Sequence, residues 1–189
     1  MAVLVIADHD NAAVRDSTHK TVTAAEKLSG DIDILVMGQG AKAAADHAAK
    51  IKGVRKVLLA QSEALGHQIA EAIQACVVPL ASGYDAVLIP SSSSGKNFAP
   101  RIAAKLDVAL ISDIVEVVDA STFVRPIYAG NALETVQSSD ARKVITVRPT
   151  VFKAADEGGA APVETAEAGP GFAKTRFIGE EVVKSARPE

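Results

Sequence analysis

The feature that most constrains the fold is the regular alternation of short apolar runs with amphipathic stretches over the first 106 residues. The apolar runs are rich in Val, Ile and Leu, as is typical of strands buried on both faces of a parallel sheet. The amphipathic stretches place apolar residues at helical spacing. Strands are therefore expected at 3–7, 32–37, 57–60 and 86–89, and helices at 17–29, 41–50, 64–81 and 94–106. This order predicts right-handed crossovers and a mostly parallel sheet covered by helices, a three-layer α/β domain.

The pattern changes after residue 107, where apolar residues begin to recur at every second position. After a short run at 108–111, such stretches occupy 114–118, 123–129 and 132–137, and a further strand is expected at 143–148. Gly130-Asn131 is a favourable two-residue hairpin turn. We therefore predict an antiparallel hairpin extension on the edge of the parallel sheet.

Composition excludes several classes of function. The net charge is −3 and no basic stripe is present, which argues against nucleic acid as a partner. One cysteine excludes disulfides within the chain and Cys-rich metal sites. No apolar run approaches the ~20 residues of a membrane span, and residues 1–7 are too short for a signal peptide. No membrane insertion is expected, and a bacterial cytoplasm or a mitochondrial matrix fits best.

The most unusual segment is the turn between the fourth strand and the fourth helix. It consists of Ser91, Ser92, Ser93, Ser94, Gly95, Lys96 and Asn97. It is not a phosphate-binding P-loop, because Pro90 and Asn97 replace the required Gly and Ser or Thr. One interpretation is a phosphate or nucleotide site at a helix N-terminus. The other is a helix cap, with Ser93 or Ser94 satisfying free amides.

Other candidate motifs have equally plain interpretations. Gly38-Gln39-Gly40, with Ala43, fits a relaxed dinucleotide fingerprint but follows the second strand, so a structural turn is the alternative. Asp8-His9-Asp10 is contiguous at a strand end, where neighbouring side chains point in different directions. The remaining histidines have no partners at ligand spacing, and Cys76 lies on an apolar helix face. We predict no catalytic residues and no metal site.

A few aromatic and guanidinium side chains fall near expected loops or edges, a composition typical of protein interfaces. The interface candidates are Arg101, Arg125, Tyr128 and Asn131, whereas Phe98 and Phe123 are equally well explained as core residues.

Residues 154–171 lack an apolar period and are rich in Ala, Gly, Pro and Glu, which is typical of a linker. The following stretch, 172–184, regains apolar residues. We predict a domain over 1–153, and over 154–189 a linker with a short segment that leads towards a further domain.

Several stretches together resemble one known family. These are VLVIADH at 3–9, PSSSSGKNFAPRIAAKLD at 90–107, ISDI at 111–114 and TFVRPIYAGNA at 122–132. In this order and spacing they resemble the electron transfer flavoprotein alpha subunit over nearly the whole chain. The resemblance implies a Rossmann-like, adenine-nucleotide-hydrolase-like N-terminal domain.

The resemblance also implies a role. Members pair alpha and beta subunits and carry electrons from acyl-CoA and other flavin dehydrogenases to a quinone oxidoreductase. Their FAD is bound by a C-terminal domain of the alpha subunit, which lies beyond residue 189, so no FAD is expected in this chain. The implied role is a scaffold and docking part, not an enzyme. The alternative is an AMP- or ATP-binding module of the universal-stress type, using the serine-rich turn.

Overall fold

The computed structural model describes residues 1–171 and 174–181. Its centre is a seven-stranded sheet in which every neighbouring pair of strands is parallel. In chain order these strands are β1 (Ala2–Ile6), β2 (Asp31–Gly38), β3 (Val54–Gln61), β4 (Ala86–Pro90), β5 (Leu110–Ile114), β9 (Lys143–Val147) and β10 (Val163–Ala166). Across the sheet the order is β10-β3-β2-β1-β4-β9-β5.

Within the described residues, four α-helices cover the parallel sheet. A second sheet, which is antiparallel, extends from it. The helices are α1 (Asp16–Glu26), α2 (Lys42–Ala48), α3 (Ala70–Ala81) and α4 (Ser93–Lys105). The second sheet consists of β6 (Glu116–Val117), β7 (Thr122–Ile127) and β8 (Ala132–Gln137). The expected α/β class, mostly parallel with an antiparallel extension, is confirmed.

The core lies on both faces of the parallel sheet. In β1, Val3 and Val5 belong to an apolar cluster shared with α1 and α2, while Leu4 and Ile6 belong to a cluster shared with α3 and α4. Side chains alternate between the two faces of a strand, so a continuous apolar run serves both clusters. This arrangement gives the three layers that the sequence predicts.

The strand expected at 143–148 is present, but it lies in a different sheet from the one predicted. We grouped it with the antiparallel extension, but β9 pairs in parallel with both β4 and β5, inside the main sheet. The reason is its burial on both faces, with Val144 and Ile145 in opposite clusters. The antiparallel strands are an excursion between β5 and β9, after which the chain returns to the parallel sheet.

The helix expected at 64–81 begins later than predicted. A 3-10 turn spans Glu63–Leu65, and α3 begins only at Ala70. Between them Gln68 has a φ of 48°, a left-handed conformation that cannot continue a right-handed helix.

The segment expected to be a linker carries structure. Val163–Ala166 forms the edge strand β10 against β3, with Val163 opposite Val57. Before it, Gly159 passes so close to Ile51 that a Cβ would overlap the Ile51 carbonyl oxygen. Small residues permit this approach, which is why the stretch lacks an apolar period and yet packs on the domain. The division at residues 153 and 154 stays a prediction.

Part of the expected short segment at 172–184 lies outside the described residues, namely 172–173 and 182–184. Residues 174–181 form neither helix nor strand. Among the helices of the described residues, none is both long and apolar enough to cross a membrane.

Candidate functional site

The serine-rich turn connects the end of β4 with the start of α4. Ser92 is the N-cap residue, and its Oγ accepts a hydrogen bond of 3.2 Å from the Gly95 amide. The cap is therefore Ser92, not Ser93 or Ser94 as expected. A Cβ at Gly95 would overlap the Pro90 carbonyl oxygen, so only glycine allows the helix to approach the strand end. Ser93, Ser94, Lys96 and Asn97 are exposed along the first turn of α4.

The space beside this turn is almost filled. Strand order reverses between β1 and β4, which is where open α/β sheets bind ligands. The crevice there, between Asp8 and Gln68 on one side and Pro90, Gly95 and Phe98 on the other, has a volume of about 10 Å³. A cavity of this size holds about one water molecule. The crevice could not enclose a nucleotide, so it gives no support to the nucleotide-binding alternative.

A carboxylate next to the turn further opposes the binding of an anion. Asp113 lies where the register between β5 and β9 shifts, with a φ of 58°. Its amide donates to Thr146 Oγ1 over 2.7 Å, and the Arg148 guanidinium donates to its carboxylate, with Nε at 3.0 Å. Arg148 is thus already paired with an internal anion.

The environment keeps Asp113 ionised. Burial alone would raise the pKa of Asp113, but the hydrogen bonds from Arg148 and the positive charges of Arg148 and Lys96 lower that pKa overall. The carboxylate therefore ties the end of β5 to Arg148, which directly follows β9, at neutral pH.

The four interface candidates fall into two places. Arg101 lies on α4 and pairs with Glu71 of α3 over 2.7 Å, so it belongs to the face formed by these helices. Arg125 lies on β7, where it pairs with Glu134 of β8 and donates to Ser112 Oγ over 3.2 Å. Tyr128 and Asn131 lie in the loop between β7 and β8, and Asn131 Nδ2 donates to the Tyr128 carbonyl oxygen over 3.1 Å.

The loop itself differs from the expected two-residue turn. Ile127 pairs with Ala132, so four residues connect the strands. Three of them, Tyr128, Ala129 and Gly130, have positive φ values of 50°, 52° and 90°. The left-handed conformation costs non-glycine residues about 1–2 kcal/mol each. Such local strain is typical of functional loops.

The loop and the strand ends beside it carry the most exposed apolar side chains of the hairpin. Tyr128 is 83% exposed and Leu133 is 70% exposed. Ile127 is also exposed, and because it pairs with Ala132 its side chain lies on the opposite face of the hairpin from Leu133. We call Ile127, Tyr128 and Leu133 the hairpin tip. At the other end of the same strand, Phe123 is fully buried in the main core, as the core interpretation expected. The hairpin is thus rooted in the domain and presents an apolar tip.

The remaining candidate groups have structural roles. His9 Nε2 hydrogen-bonds the Met37 carbonyl oxygen over 3.0 Å, and burial lowers the pKa of His9. Burial raises the pKa of Cys76 to about 12, so its thiol stays protonated and unreactive. A Cβ at Gly38 would lie 2.8 Å from Asn11 Oδ1, and Gly40 has a φ of 72°. The Gly38–Gly40 turn is therefore explained by packing and backbone conformation.

One cluster was missed in the sequence. His19, His47 and Glu157 offer ligand atoms that all lie within 4.8 Å of one another. The three residues are far apart in the chain, so no local spacing signals their meeting. Only knowledge that the 155–162 segment folds back onto α1 and α2 would have found them.

Comparison with known proteins supports one family. Residues 3–170 match the sequence model described as "Electron transfer flavoprotein domain". The chain is 54% identical over its whole length to a protein of Pseudomonas aeruginosa named electron transfer flavoprotein subunit alpha, of which it covers 62%. A relative of the same name from Bradyrhizobium diazoefficiens is also 54% identical over the whole chain, with 60% covered. A probable mitochondrial alpha subunit of Caenorhabditis elegans is 39% identical, with 58% covered.

The chain spans about 60% of the length of these curated relatives. The matched residues include the serine-rich turn, the Asp113–Arg148 pair and the hairpin tip. The resemblance seen in the sequence is confirmed, and the chain belongs to the electron transfer flavoprotein family.

Proposed function

We propose that this chain is the scaffold and docking part of an electron transfer flavoprotein alpha subunit. In the intact protein it would pair with a beta subunit, and the complex would carry electrons from acyl-CoA and other flavin dehydrogenases to a quinone oxidoreductase. The names of the relatives support the subunit assignment. Because the chain spans only part of their length, electron transfer is proposed for the intact protein and not for this chain alone.

The observation that carries the docking role is the hairpin tip. Tyr128 and Leu133 are exposed on a hairpin whose base is held by buried Phe123 and by the Arg125–Glu134 pair. Aromatic side chains on a preformed frame are typical anchors of protein interfaces, because little conformational entropy is lost on binding. We propose that the beta subunit covers this tip, with Asn131 and Arg125 at its rim.

We further propose that the FAD of the intact protein is bound by a part of the alpha subunit that this chain does not include. The filled crevice at the strand-order reversal supports this assignment. This chain would then help to orient the flavin-binding part, while the redox chemistry belongs to the flavin itself. Equilibrium dialysis of the purified chain against FAD should leave no stoichiometric flavin, and a yellow, flavin-loaded chain would contradict the proposal.

The relatives include bacterial and mitochondrial proteins. We propose a bacterial cytoplasm or the mitochondrial matrix as the compartment, and the role of an electron-carrier subunit instead of an enzyme.

Sedimentation velocity of the chain mixed with purified beta subunit tests the docking role. A faster-sedimenting complex is expected at micromolar concentrations, and absence of any complex at high micromolar concentrations would refute the role. The double variant Tyr128→Ala, Leu133→Ser should lose at least about 2 kcal/mol of binding free energy, the scale of an interface hot spot. Val151→Ser is the matched control, since Val151 is an exposed apolar residue away from the hairpin.

A further inference from the structure

We propose that His19, His47 and Glu157 form a binding site for a divalent cation, with Zn²⁺ the best match. His19 lies on α1, His47 lies in the last turn of α2, and Glu157 lies in the segment that folds back onto both helices. One ligand atom from each residue lies within 4.8 Å of the others. Two imidazoles and one carboxylate are a familiar zinc ligand set that leaves a fourth position for water.

His19 is already oriented as a ligand. Its Nδ1 lies 3.1 Å from the Ala155 carbonyl oxygen. A carbonyl oxygen only accepts, so Nδ1 carries the proton and the neutral ring keeps its lone pair on Nε2. A ligating histidine that donates its other N–H to a carbonyl is the usual arrangement around protein-bound metals.

His47 differs from His19 in which ring nitrogen carries the proton. The Val14 amide donates to His47 Nδ1 over 3.1 Å, so the neutral ring carries its proton on Nε2, facing Glu157 Oε1 at 3.1 Å. A cation would take the place of that Nε2 proton, and the ring proton would move to Nδ1. The Val14 amide then loses its acceptor, which weakens the site on the order of tenfold.

The position of the site gives it a structural effect. Glu157 is exposed and both histidines are half-buried, so the ligand atoms are accessible from solvent. The segment is otherwise held by backbone hydrogen bonds, such as Ala155 N to His19 O and Lys52 N to Asp156 O. A cation would cross-link this segment to two helices and stabilise only the folded chain.

Isothermal titration of Zn²⁺ into the untagged chain tests the site. One equivalent is expected to bind, with an upward shift of the melting temperature. His19→Gln and Glu157→Gln should each weaken binding at least about tenfold, because each removes one of three ligands. His67→Gln is the matched control, since His67 stacks on Phe177 away from the site. No binding at about 1 mM Zn²⁺, or equal binding by all variants, would overturn the proposal.

A second measurement on the wild-type chain does not depend on the folding of the variants. Side-chain ¹⁵N NMR distinguishes the two imidazole tautomers. On addition of Zn²⁺ the His47 proton should move from Nε2 to Nδ1 and the Val14 amide resonance should shift, while His19 keeps its Nδ1 proton. Unchanged His47 and Val14 signals at saturating Zn²⁺ would equally overturn the site.

Discussion

The crevice beside the serine-rich turn and the hairpin tip form a contrast within one chain. The crevice lies where open α/β sheets bind ligands, yet its volume is only about 10 Å³. The Ser92 hydroxyl beside it is occupied as the N-cap of α4, where it accepts a hydrogen bond from the Gly95 amide. The tip lies on a small sheet outside the parallel core, yet it exposes Tyr128 and Leu133. The usual ligand position of the fold is closed, and the appended hairpin is the surface that offers contact.

The ion pairs of the crevice and of the hairpin differ in the same way. At the crevice, Arg148 and Asp113 pair with each other and tie strand ends together. On the hairpin, Arg125 and Glu134 pair across β7 and β8 and leave the apolar side chains beyond them exposed. Fold alone therefore says little about the role of this chain, and the particular sites decide it.

The strongest test of the closed crevice is Gly95→Ala. The added Cβ would overlap the Pro90 carbonyl oxygen, so strand β4 and helix α4 must separate. We expect a loss of about 3 kcal/mol in the free energy of unfolding, measured by urea denaturation. Gly30→Ala is the control, because a Cβ there meets nothing within 4 Å. Equal stability of both variants would show that the crevice is loosely packed.

A smaller effect is expected from Asp113→Asn. Asparagine tolerates the positive φ of this position, so the substitution isolates the loss of charge. Because the carboxylate is partly exposed, we expect a loss of about 1 kcal/mol at pH 7.

The pH dependence of this loss has a defined sign. The pKa of Asp113 is lowered in the folded chain, so its contribution is present above the unfolded pKa of about 4 and disappears as the pH falls through the folded pKa. The stabilities of the two proteins should therefore converge as the pH falls below about 4. A difference that persists unchanged at the lowest pH would contradict the role assigned to the carboxylate.

The smallest expected effect concerns the strain of the tip. Ala129 has a φ of 52°, which glycine adopts without cost, so Ala129→Gly should stabilise the chain by about 0.5 kcal/mol. Ala132→Gly, in strand β8, should destabilise it by a similar amount. Thermal unfolding of this pair measures the difference, and a destabilised Ala129→Gly variant would argue against strain in the tip.

The elements that could be predicted from the sequence are those marked by a local pattern of apolar residues. Apolar runs such as 3–7 and 86–89 identified β1 and β4, and the period-2 stretches identified the antiparallel hairpin. The place of β9 could not be predicted, because the run at 143–148 shows that a strand exists but not which neighbour it pairs with. The edge strand β10 is only four residues long and was hidden in an Ala- and Gly-rich stretch.

The sites show the same limit. The serine-rich turn and Tyr128 stood out by composition, whereas Asp113 and Arg148 did not, because their pairing depends on the adjacency of β5 and β9. Likewise His19, His47 and Glu157 meet only because residues 155–162 return to the helices. Sequence patterns indicated which residues were unusual, and topology determined which of them meet.

Hydrogen–deuterium exchange of the chain with and without beta subunit tests the central claim most directly, because it reports on both regions at once. We expect the amides of residues 127–133 at the hairpin tip to become protected on binding, with those of residues 91–97 unchanged. Protection at the serine-rich turn and none at the hairpin tip would contradict the account.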